Sequence, residues 1–150
     1  IIPGGESTTM SFLLESSGIF DSLRERSAEG MPILGTCAGM ILLSSKITDG
    51  RSDQKPLNLM GIETRRNGYG RQIDSFESDL SIEGFDTSFR GIFIRAPLVE
   101  AVSEEVEVLA EVNGRPVMCR QGSIIVTSFH PELADDDRIH AEFLEMVSSS

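Results

Sequence analysis

The stretch "ILGTCAGMILL", residues 33–43, predicts the strand–turn–helix unit around which the fold is built. The short apolar run that begins at Met31 is typical of a strand buried on both faces, as in parallel sheets. Glycines and other small residues surround Cys37 and indicate a turn. We expect a helix to follow from about Ala38 to Ser45. The stretch therefore places a cysteine between a buried strand and a helix.

Helices and strands alternate in the first third of the chain. "II" at residues 1–2 is typical of the end of a strand. Residues 7–17 predict a short helix that is capped by Ser or Thr and stopped by Gly18. Residues 20–30 predict a second helix that ends at Gly30. This alternation indicates the α/β class.

Strands and turns dominate the middle of the chain. Residues 62–82 alternate apolar and polar side chains around glycines, which is typical of strands and turns. "GIFIRAPLV", residues 91–99, predicts a further strand that ends before a proline. Residues 106–129 predict three strands, joined at the hairpin signals Asn113-Gly114 and Gln121-Gly122.

Residues 135–147 predict a final helix behind acidic residues. Its apolar side chains at helical spacing are Ile139, Phe143, Leu144 and Val147. Together these elements predict a single-domain α/β fold, with a mixed, mostly parallel central sheet flanked by helices.

The composition limits the classes of function. The chain has 150 residues, enough for one domain with a substantial core, and its net charge of -11 argues against nucleic-acid binding. No apolar stretch is long enough to span a bilayer, so no membrane partner is expected. Cys37 and Cys119 form neither a disulfide framework nor a metal pair, which favours a reducing cytoplasm and no bound metal.

Cys37 stands in "GTCAG", the cysteine form of a nucleophile elbow. A tight turn lifts such a side chain clear of the sheet, and the glycines on each side leave room for it. The helix N-terminus stabilises a thiolate, and the amide of Ala38 can point at a developing oxyanion. Taken alone, the pentapeptide is better explained as a packed cysteine in a glycine-rich turn.

His130 in "TSFHPEL" is the histidine best placed to act as a base, because it ends an apolar strand. Residues two apart in extended backbone project to the same side, so Glu132 can hold the imidazole in one tautomer. The alternative is a strand end with an unrelated surface pair. His140 lies in the last helix among polar neighbours and is expected at the surface.

"PGGEST", residues 3–8, offers two glycines before a helix, whose amides can bind an anion or oxyanion. No GK[ST] follows, so it does not match a phosphate loop. Glu6 beside these amides suits a substrate ammonium group. The alternative role for Glu6 is to cap the helix.

The motifs "PGGEST", "GTCAG" and "SFHPEL", in this order, resemble those of class I glutamine amidotransferases, the Cys–His–Glu glutaminases. "RRNGYGRQIDSFESDL" and "FIRAP" resemble, more narrowly, the glutaminase subunits of pyridoxal 5'-phosphate synthases, and the resemblance runs over essentially all of the chain. It implies hydrolysis of L-glutamine to glutamate and ammonia. The ammonia would pass through a tunnel to a partner synthase subunit that makes pyridoxal 5'-phosphate (vitamin B6), with no cofactor on this chain.

The resemblance also implies a role for each motif residue. Cys37 would be the nucleophile that forms a γ-glutamyl thioester, His130 the base and then the acid, and Glu132 its orienting partner. The amides of Gly5 and Ala38 would form the oxyanion hole.

L-glutamine would be bound by residues from three segments of the chain. These residues are Gly5, Glu6 and Ser7 in the first motif, Arg66, and the pair Ile94 and Arg95. Arginine suits the α-carboxylate of glutamine, although both arginines could equally form structural ion pairs. Asn67 and Gln72 are weaker candidates. Relative to this family, the chain is expected to lack an N-terminal strand–helix–strand segment.

Three other functions remain open from the sequence. The chain could be the glutaminase of an amidotransferase for nucleotide or tryptophan synthesis. It could be another cysteine hydrolase, such as a γ-glutamyl hydrolase-like or peptidase-like protein. It could also be a regulatory or scaffold subunit that keeps the fold without the chemistry. Reaction of Cys37 with a glutamine-like electrophile would separate the scaffold from the enzymes.

Overall fold

The computed structural model describes residues 1–67 and 75–150, and within these ranges the chain forms four α-helices and nine strands. A 3-10 turn, Pro131–Leu133, precedes the last helix. The helices and strands are, in chain order, α1 (Ser7–Ser16), α2 (Ile19–Ala28), β1 (Ile33–Thr36), α3 (Ala38–Leu43), β2 (Ser44–Ile47), β3 (Met60–Arg65), β4 (Ser75–Leu80), β5 (Phe89–Ile94), β6 (Leu98–Val102), β7 (Glu107–Val112), β8 (Arg115–Gln121), β9 (Ile124–Thr127) and α4 (Arg138–Ser148).

The described strands form three sheets. A four-stranded sheet has the order β1-β9-β8-β7, a three-stranded sheet the order β2-β3-β6, and β4 pairs with β5. Ile2 adds a parallel bridge to Gly35 on the free side of β1, as expected for the end of a strand. The Ile2 N–H donates to the Leu34 carbonyl at 2.8 Å, and the Thr36 N–H donates to the Ile2 carbonyl at 3.0 Å.

The four-stranded sheet separates two hydrophobic cores. Leu34 of β1 and Ile125 of β9 point into the core that contains β4, β5 and α4. Ile33, Ile124 and Val126 point the other way, into the core that contains α3 and β3. All four residues of β1 and all four of β9 are buried, so the prediction of a strand buried on both faces is confirmed for β1.

The mixed α/β fold with flanking helices is confirmed, but the expectation of a mostly parallel sheet is wrong for the described strands. In the four-stranded sheet β1 and β9 are parallel, whereas β9 with β8 and β8 with β7 are antiparallel. The reason is that the two predicted hairpin turns join neighbouring strands directly. Asn113, Gly114 and Gly122 all have positive φ, as such tight turns require.

Residues 91–99 do not form one strand, which corrects the prediction for this segment. β5 ends at Ile94 and pairs with β4, whereas β6 begins at Leu98 and pairs with β3 in another sheet. Arg95 breaks the run because its φ of 45° is incompatible with a strand. Pro97, two residues further on, has no N–H to donate to a ladder.

The helices agree with the predictions in number and differ at their ends. α3 stops at Leu43 instead of Ser45, because Ser44 already pairs with Met60 as the start of β2. In α4, Ile139 and Phe143 are buried, whereas Leu144 and Val147, also expected on the apolar face, are 62% and 44% exposed. In the described part of the chain, no helix has the length and apolar character needed to cross a membrane.

Candidate active site

Cys37 lies in a tight turn between β1 and α3. Its backbone has φ 52° and ψ -105°, a conformation that non-glycine residues rarely adopt. Its N–H donates to the Thr127 carbonyl of β9 at 2.8 Å, which ties the turn to the neighbouring strand. The residue is 8% exposed, and its Sγ lies 3.9 Å from the carbonyl oxygen of Ile94 at the end of β5.

The two glycines that flank Cys37 allow the backbone segments around the turn to pack closely. A methyl group on Gly35 would overlap the Leu43 side chain and touch the backbone of Gly39. A methyl group on Gly39 would overlap the carbonyl oxygen of Ile2. The structure shows a further role for these glycines, beside the expected one of leaving room for the cysteine side chain. They let α3, β1 and the N-terminal segment approach one another.

His130 and Glu132 follow β9. The backbone N–H of His130 donates to the Ile92 carbonyl at 2.8 Å. The ring Nδ1 of His130 lies 2.7 Å from Glu132 Oε1. The contact was predicted, but its geometry was not, because Glu132 lies in the 3-10 turn that starts at Pro131 and not in extended backbone. A carboxylate can only accept, so Nδ1 carries the proton and Nε2 is left as the basic nitrogen.

Gly4 lies where Cys37 and His130 meet. A methyl group on Gly4 would lie 2.6 Å from His130 Cε1 and 3.6 Å from Cys37 Cβ. The structure thus brings the glycine loop, the cysteine and the histidine together from three separate parts of the chain. Sequence reasoning singled out Gly5 in this loop and missed Gly4, although the doubled glycine in "PGGEST" was a signal for a close backbone approach.

The pKa of the Cys37 thiol is raised above its ordinary value, mainly by burial. The nearby Glu132 carboxylate raises this pKa further, whereas a hydrogen bond from the Ala38 N–H lowers it. The Ala38 amide therefore points toward the cysteine sulfur. A thiol in this environment needs a base to give up its proton, and the His130 side chain is 14% exposed at the same place.

Glu6 caps α1, which corrects the expectation of a Ser or Thr cap. Its Oε2 accepts from the Thr9 N–H at 2.8 Å and from Thr9 Oγ1 at 2.7 Å, and Oε1 accepts from the Thr8 N–H at 3.2 Å. These bonds, those of Thr9 foremost, lower the pKa of Glu6 to about 2. The alternative capping role is therefore present, and the carboxylate is ionised beside the glycine loop.

Ser7 and Arg66, both expected to bind glutamine, belong to one network of polar side chains. The Ser7 hydroxyl accepts from Gln54 Nε2 at 3.1 Å, and Arg66 Nη1 donates to Thr8 Oγ1 at 2.8 Å. Asp49 accepts from the Arg66 N–H at 2.7 Å. Arg66 Nε is buried and has no hydrogen-bond partner among the described residues. Sequence reasoning missed Asp49 and Gln54, and no motif marked them.

Ile94 and Arg95 lie at the end of β5, beside Cys37. The carbonyl oxygen of Ile94 faces the cysteine sulfur, and Arg95 follows with a positive φ that turns the chain away from the sheet. Ile94 and Arg95 are both exposed. Ile94 therefore borders the cysteine through its backbone carbonyl, and Arg95 is the residue that follows it.

The two weaker candidates were Asn67 and Gln72. Asn67 donates its N–H to Asp49 at 3.3 Å, and Gln72 lies outside the described residues. His140 is half-buried on α4 and lines a cavity with Glu132 and the acidic residues 135–137. Across residues 1–67 and 75–150, no cluster of His, Cys, Asp or Glu is arranged to hold a metal ion.

Comparison with known proteins gives one consistent answer. The sequence pattern of the SNO glutamine amidotransferase family matches residues 1–149. The chain is 52% identical over 147 residues to the pyridoxal 5'-phosphate synthase subunit PdxT of Mycobacteroides abscessus, covering 98% of this chain and 76% of the relative. It is 53% identical over 148 residues to the protein of the same name from Corynebacterium jeikeium, with the same coverage of 98% and 76%.

Solved structures agree with the sequence comparison. A crystal structure of a glutamine amidotransferase superposes with a TM-score of 0.92 at 47% identity, covering 97% of this chain and 77% of that one. A second glutamine amidotransferase, from Thermotoga maritima, shares the fold, with a TM-score of 0.59 at 13% identity, covering 97% of this chain and 59% of that one.

Proposed function

Since the chain belongs to the SNO glutamine amidotransferase family, we propose that it hydrolyses L-glutamine with Cys37, His130 and Glu132 as its catalytic residues. The observation that carries the proposal is the meeting of Cys37 and His130 at Gly4, with the His130 Nδ1 held 2.7 Å from Glu132. This arrangement combines a nucleophile, a base and an orienting acid.

In the first half of the reaction, His130 Nε2 takes the thiol proton as Cys37 Sγ attacks the γ-amide carbon of glutamine. The amide oxygen becomes an oxyanion, which the N–H groups of Ala38 and Gly5 would stabilise. His130 then returns its proton to the amide nitrogen. The carbon–nitrogen bond breaks, ammonia leaves, and a γ-glutamyl thioester remains on Cys37.

In the second half, His130 acts as a base again. It takes a proton from water as the water oxygen attacks the thioester carbon, and the carbon–sulfur bond breaks. Cys37 leaves as a thiolate and regains its proton from His130, so that glutamate is released and the starting state returns. Glu132 keeps the same imidazole nitrogen available in both halves, because it accepts from Nδ1 throughout.

Glutamine would be held by charges on both sides of the glycine loop. Glu6 is ionised and suits the α-ammonium group, and the Arg66 guanidinium, whose Nε lies 4.0 Å from an Asp49 carboxylate oxygen, suits the α-carboxylate. Gly5, Ser7, Ile94 and Arg95 complete the proposed binding surface.

We further propose that the ammonia passes to a synthase subunit that makes pyridoxal 5'-phosphate. The support is that the two relatives, 52% and 53% identical to this chain, are named as subunits of that synthase. The chain itself would need no cofactor for glutamine hydrolysis, and its net charge of -11 disfavours nucleic acid as a partner. A catalytic thiol must stay reduced, which favours the cytoplasm as the compartment.

The test is covalent labelling of the full-length protein in the presence of its synthase subunit. A glutamine-like diazoketone is added, and the intact mass and the labelled peptide are read for the wild type and for Cys37→Ala. We expect one adduct, on Cys37, that excess glutamine prevents. Glutamine turnover should rise when the synthase subunit is added.

Two outcomes would contradict the proposal. No adduct, or equal labelling of Cys119, would favour a scaffold subunit without chemistry. An adduct together with faster hydrolysis of γ-glutamyl peptides than of glutamine would favour a different cysteine hydrolase.

A further inference from the structure

Gln54 joins two parts of the candidate glutamine site, although it belongs to neither. It lies in the loop between β2 and β3 and is 7% exposed. Its Nε2 donates to Ser7 Oγ at 3.1 Å, and its Oε1 accepts from Thr8 Oγ1 at 3.4 Å. Both side-chain amide atoms are thus used on the first turn of α1, directly after Glu6.

The direction of each hydrogen bond in this network follows from Arg66. A guanidinium group can only donate, so Thr8 Oγ1 must accept from Arg66 Nη1, at 2.8 Å. The Thr8 hydroxyl proton is therefore free to go to Gln54, which must present its oxygen there. The nitrogen of the same amide then faces Ser7, which accepts from it.

One consequence is that Ser7 keeps its own hydroxyl proton for another acceptor. In residues 1–67 and 75–150, the Ser7 hydroxyl has Gln54 as its hydrogen-bond partner and acts there as an acceptor. A second consequence concerns Arg66, whose Nη1 is held by a Thr8 hydroxyl that Gln54 orients. One buried amide therefore sets the donor direction of Ser7 and, together with the contacts of Arg66 to Asp49, holds the arginine.

We propose that Gln54 is a positioning residue for glutamine binding, which acts through the Ser7 hydroxyl and the Arg66 guanidinium. The proposal rests on the proposed function, because it assumes that these two groups contact glutamine. The side-chain hydrogen bonds of Gln54 go to Ser7 and Thr8 and not to Cys37, His130 or Glu132, so we expect it to act on substrate binding and not on the bond-breaking steps.

The experiment compares three variants with the wild type, as full-length protein with its synthase subunit. Gln54→Ala removes both hydrogen bonds. Gln54→Glu keeps the size and still accepts from Thr8, but it cannot donate to Ser7. Gln121→Ala is the matched control, because Gln121 also uses both amide atoms, on Gly61 and Glu105, at the end of β8 remote from Cys37.

We expect both Gln54 variants to raise the KM for glutamine by about tenfold, with kcat within about twofold of the wild type. Inactivation by the glutamine-like diazoketone should slow by a similar factor at low reagent concentration. Alkylation of Cys37 by iodoacetamide, which does not need the glutamine site, should keep its rate. Gln121→Ala should match the wild type in all three measurements.

An unchanged KM in Gln54→Glu would overturn the proposal, as would equal losses in kcat and in iodoacetamide reactivity, which indicate a general loss of structure. If Gln54→Ala does not fold, as judged by its melting curve, Gln54→Glu decides alone. Failure of the proposed function is distinguishable, because the wild type would then show neither glutamine turnover nor a diazoketone adduct.

Discussion

The Cys37 thiol is difficult to ionise, because its pKa is raised. It is nearly buried, it faces the carbonyl oxygen of Ile94, and the Glu132 carboxylate lies close enough to raise its pKa. Many reactive cysteines instead have a lowered pKa from a nearby positive charge. In the proposed mechanism His130 removes the proton when substrate is in place, and the raised pKa would protect the thiol from other electrophiles between turnovers.

Alkylation by iodoacetamide should therefore respond to pH in a specific way. The thiolate reacts, and a raised pKa moves its formation to higher pH, so the rate for Cys37 should reach half of its maximum at a higher pH than the rate for a free cysteine thiol. In Glu132→Gln, which removes a negative charge, the midpoint should move to lower pH. The measurement is the rate of mass increase across a pH series.

Cys119 serves as an internal control for this experiment. It is fully buried and burial raises its pKa to about 12, so Cys37→Ala should remain unlabelled over the same series. A Cys37 midpoint below the value for a free thiol, or a midpoint that Glu132→Gln leaves in place, would contradict the burial argument.

Gly4 gives a second prediction at the scale of single residues. Gly4→Ala places a methyl group 2.6 Å from His130 Cε1, closer than carbon atoms can approach, so the imidazole or the loop must shift from its present position. We expect glutamine turnover to fall by about 100-fold. The melting temperature should change little, because the loop is partly exposed. Full activity in the variant would mean that the loop does not pack on the histidine during turnover.

At the scale of elements, α1 depends on the charge of Glu6. The carboxylate accepts two backbone N–H groups and a hydroxyl from the first turn, and its pKa falls to about 2 as a result. A group with a lowered pKa stabilises the fold above its unfolded pKa and loses that contribution as pH falls through the folded pKa. The Glu6 contribution should thus be complete near neutral pH and disappear between about pH 4.5 and about pH 2.

Glu6→Gln should lower the free energy of unfolding by about 1 kcal/mol at pH 7, the usual size of a capping effect. The difference from the wild type should shrink as pH falls through that range. Denaturant unfolding at several pH values measures it, with Glu25→Gln on the exposed side of α2 as the control. A difference that stays constant with pH would rule out the charge as the origin of the cap.

Local elements were predicted well where a local signal existed. The hairpins at Asn113-Gly114 and Gln121-Gly122 follow from residues that tolerate positive φ, and the turn at Cys37 follows from its small neighbours. The division of residues 91–99 between two sheets was not predictable in this way, because Arg95 carries no sign of its positive φ. The cap by Glu6 was foreseen only as an alternative, since serine and threonine stand beside it and are the commoner caps.

At the scale of the whole molecule, stability depends on the two cores that the four-stranded sheet separates. Phe93 is fully buried in one of them. Its ring stacks on that of Phe76, with 4.4 Å between the ring centroids, and its centroid lies 5.5 Å from that of Phe129. Phe93→Ala should lower the free energy of unfolding by about 3–5 kcal/mol. Phe12, 40% exposed on α1, is the matched control, and Phe12→Ala should cost much less.

The free energy of unfolding of both variants is measured by chemical or thermal unfolding. The transition is followed by circular dichroism, because the chain has no tryptophan whose fluorescence could report it. Equal losses for the two phenylalanines would show that burial in this core does not dominate stability.

The candidate site was predictable at this scale only in part. Cys37, His130 and Glu132 were found because each lies in a short motif at the end of a strand. The network of Gln54, Thr8 and Asp49 was not found, because its members come from different loops and meet only after folding. Contacts of this kind depend on tertiary packing, which no local pattern specifies.

The four-residue parallel pairing of β1 with β9 has a practical consequence. Thr36 lies opposite Thr127, at the end of both strands. The chain therefore continues from the same edge of the sheet in both cases, into Cys37 after β1 and toward His130 after β9. A slip by one residue would turn the side chains of β9 to the opposite face. Such a molecule would still be compact, but its His130 would no longer lie beside Cys37. Counting active sites by titration, and not measuring protein concentration, is therefore the proper measure of a correctly folded preparation.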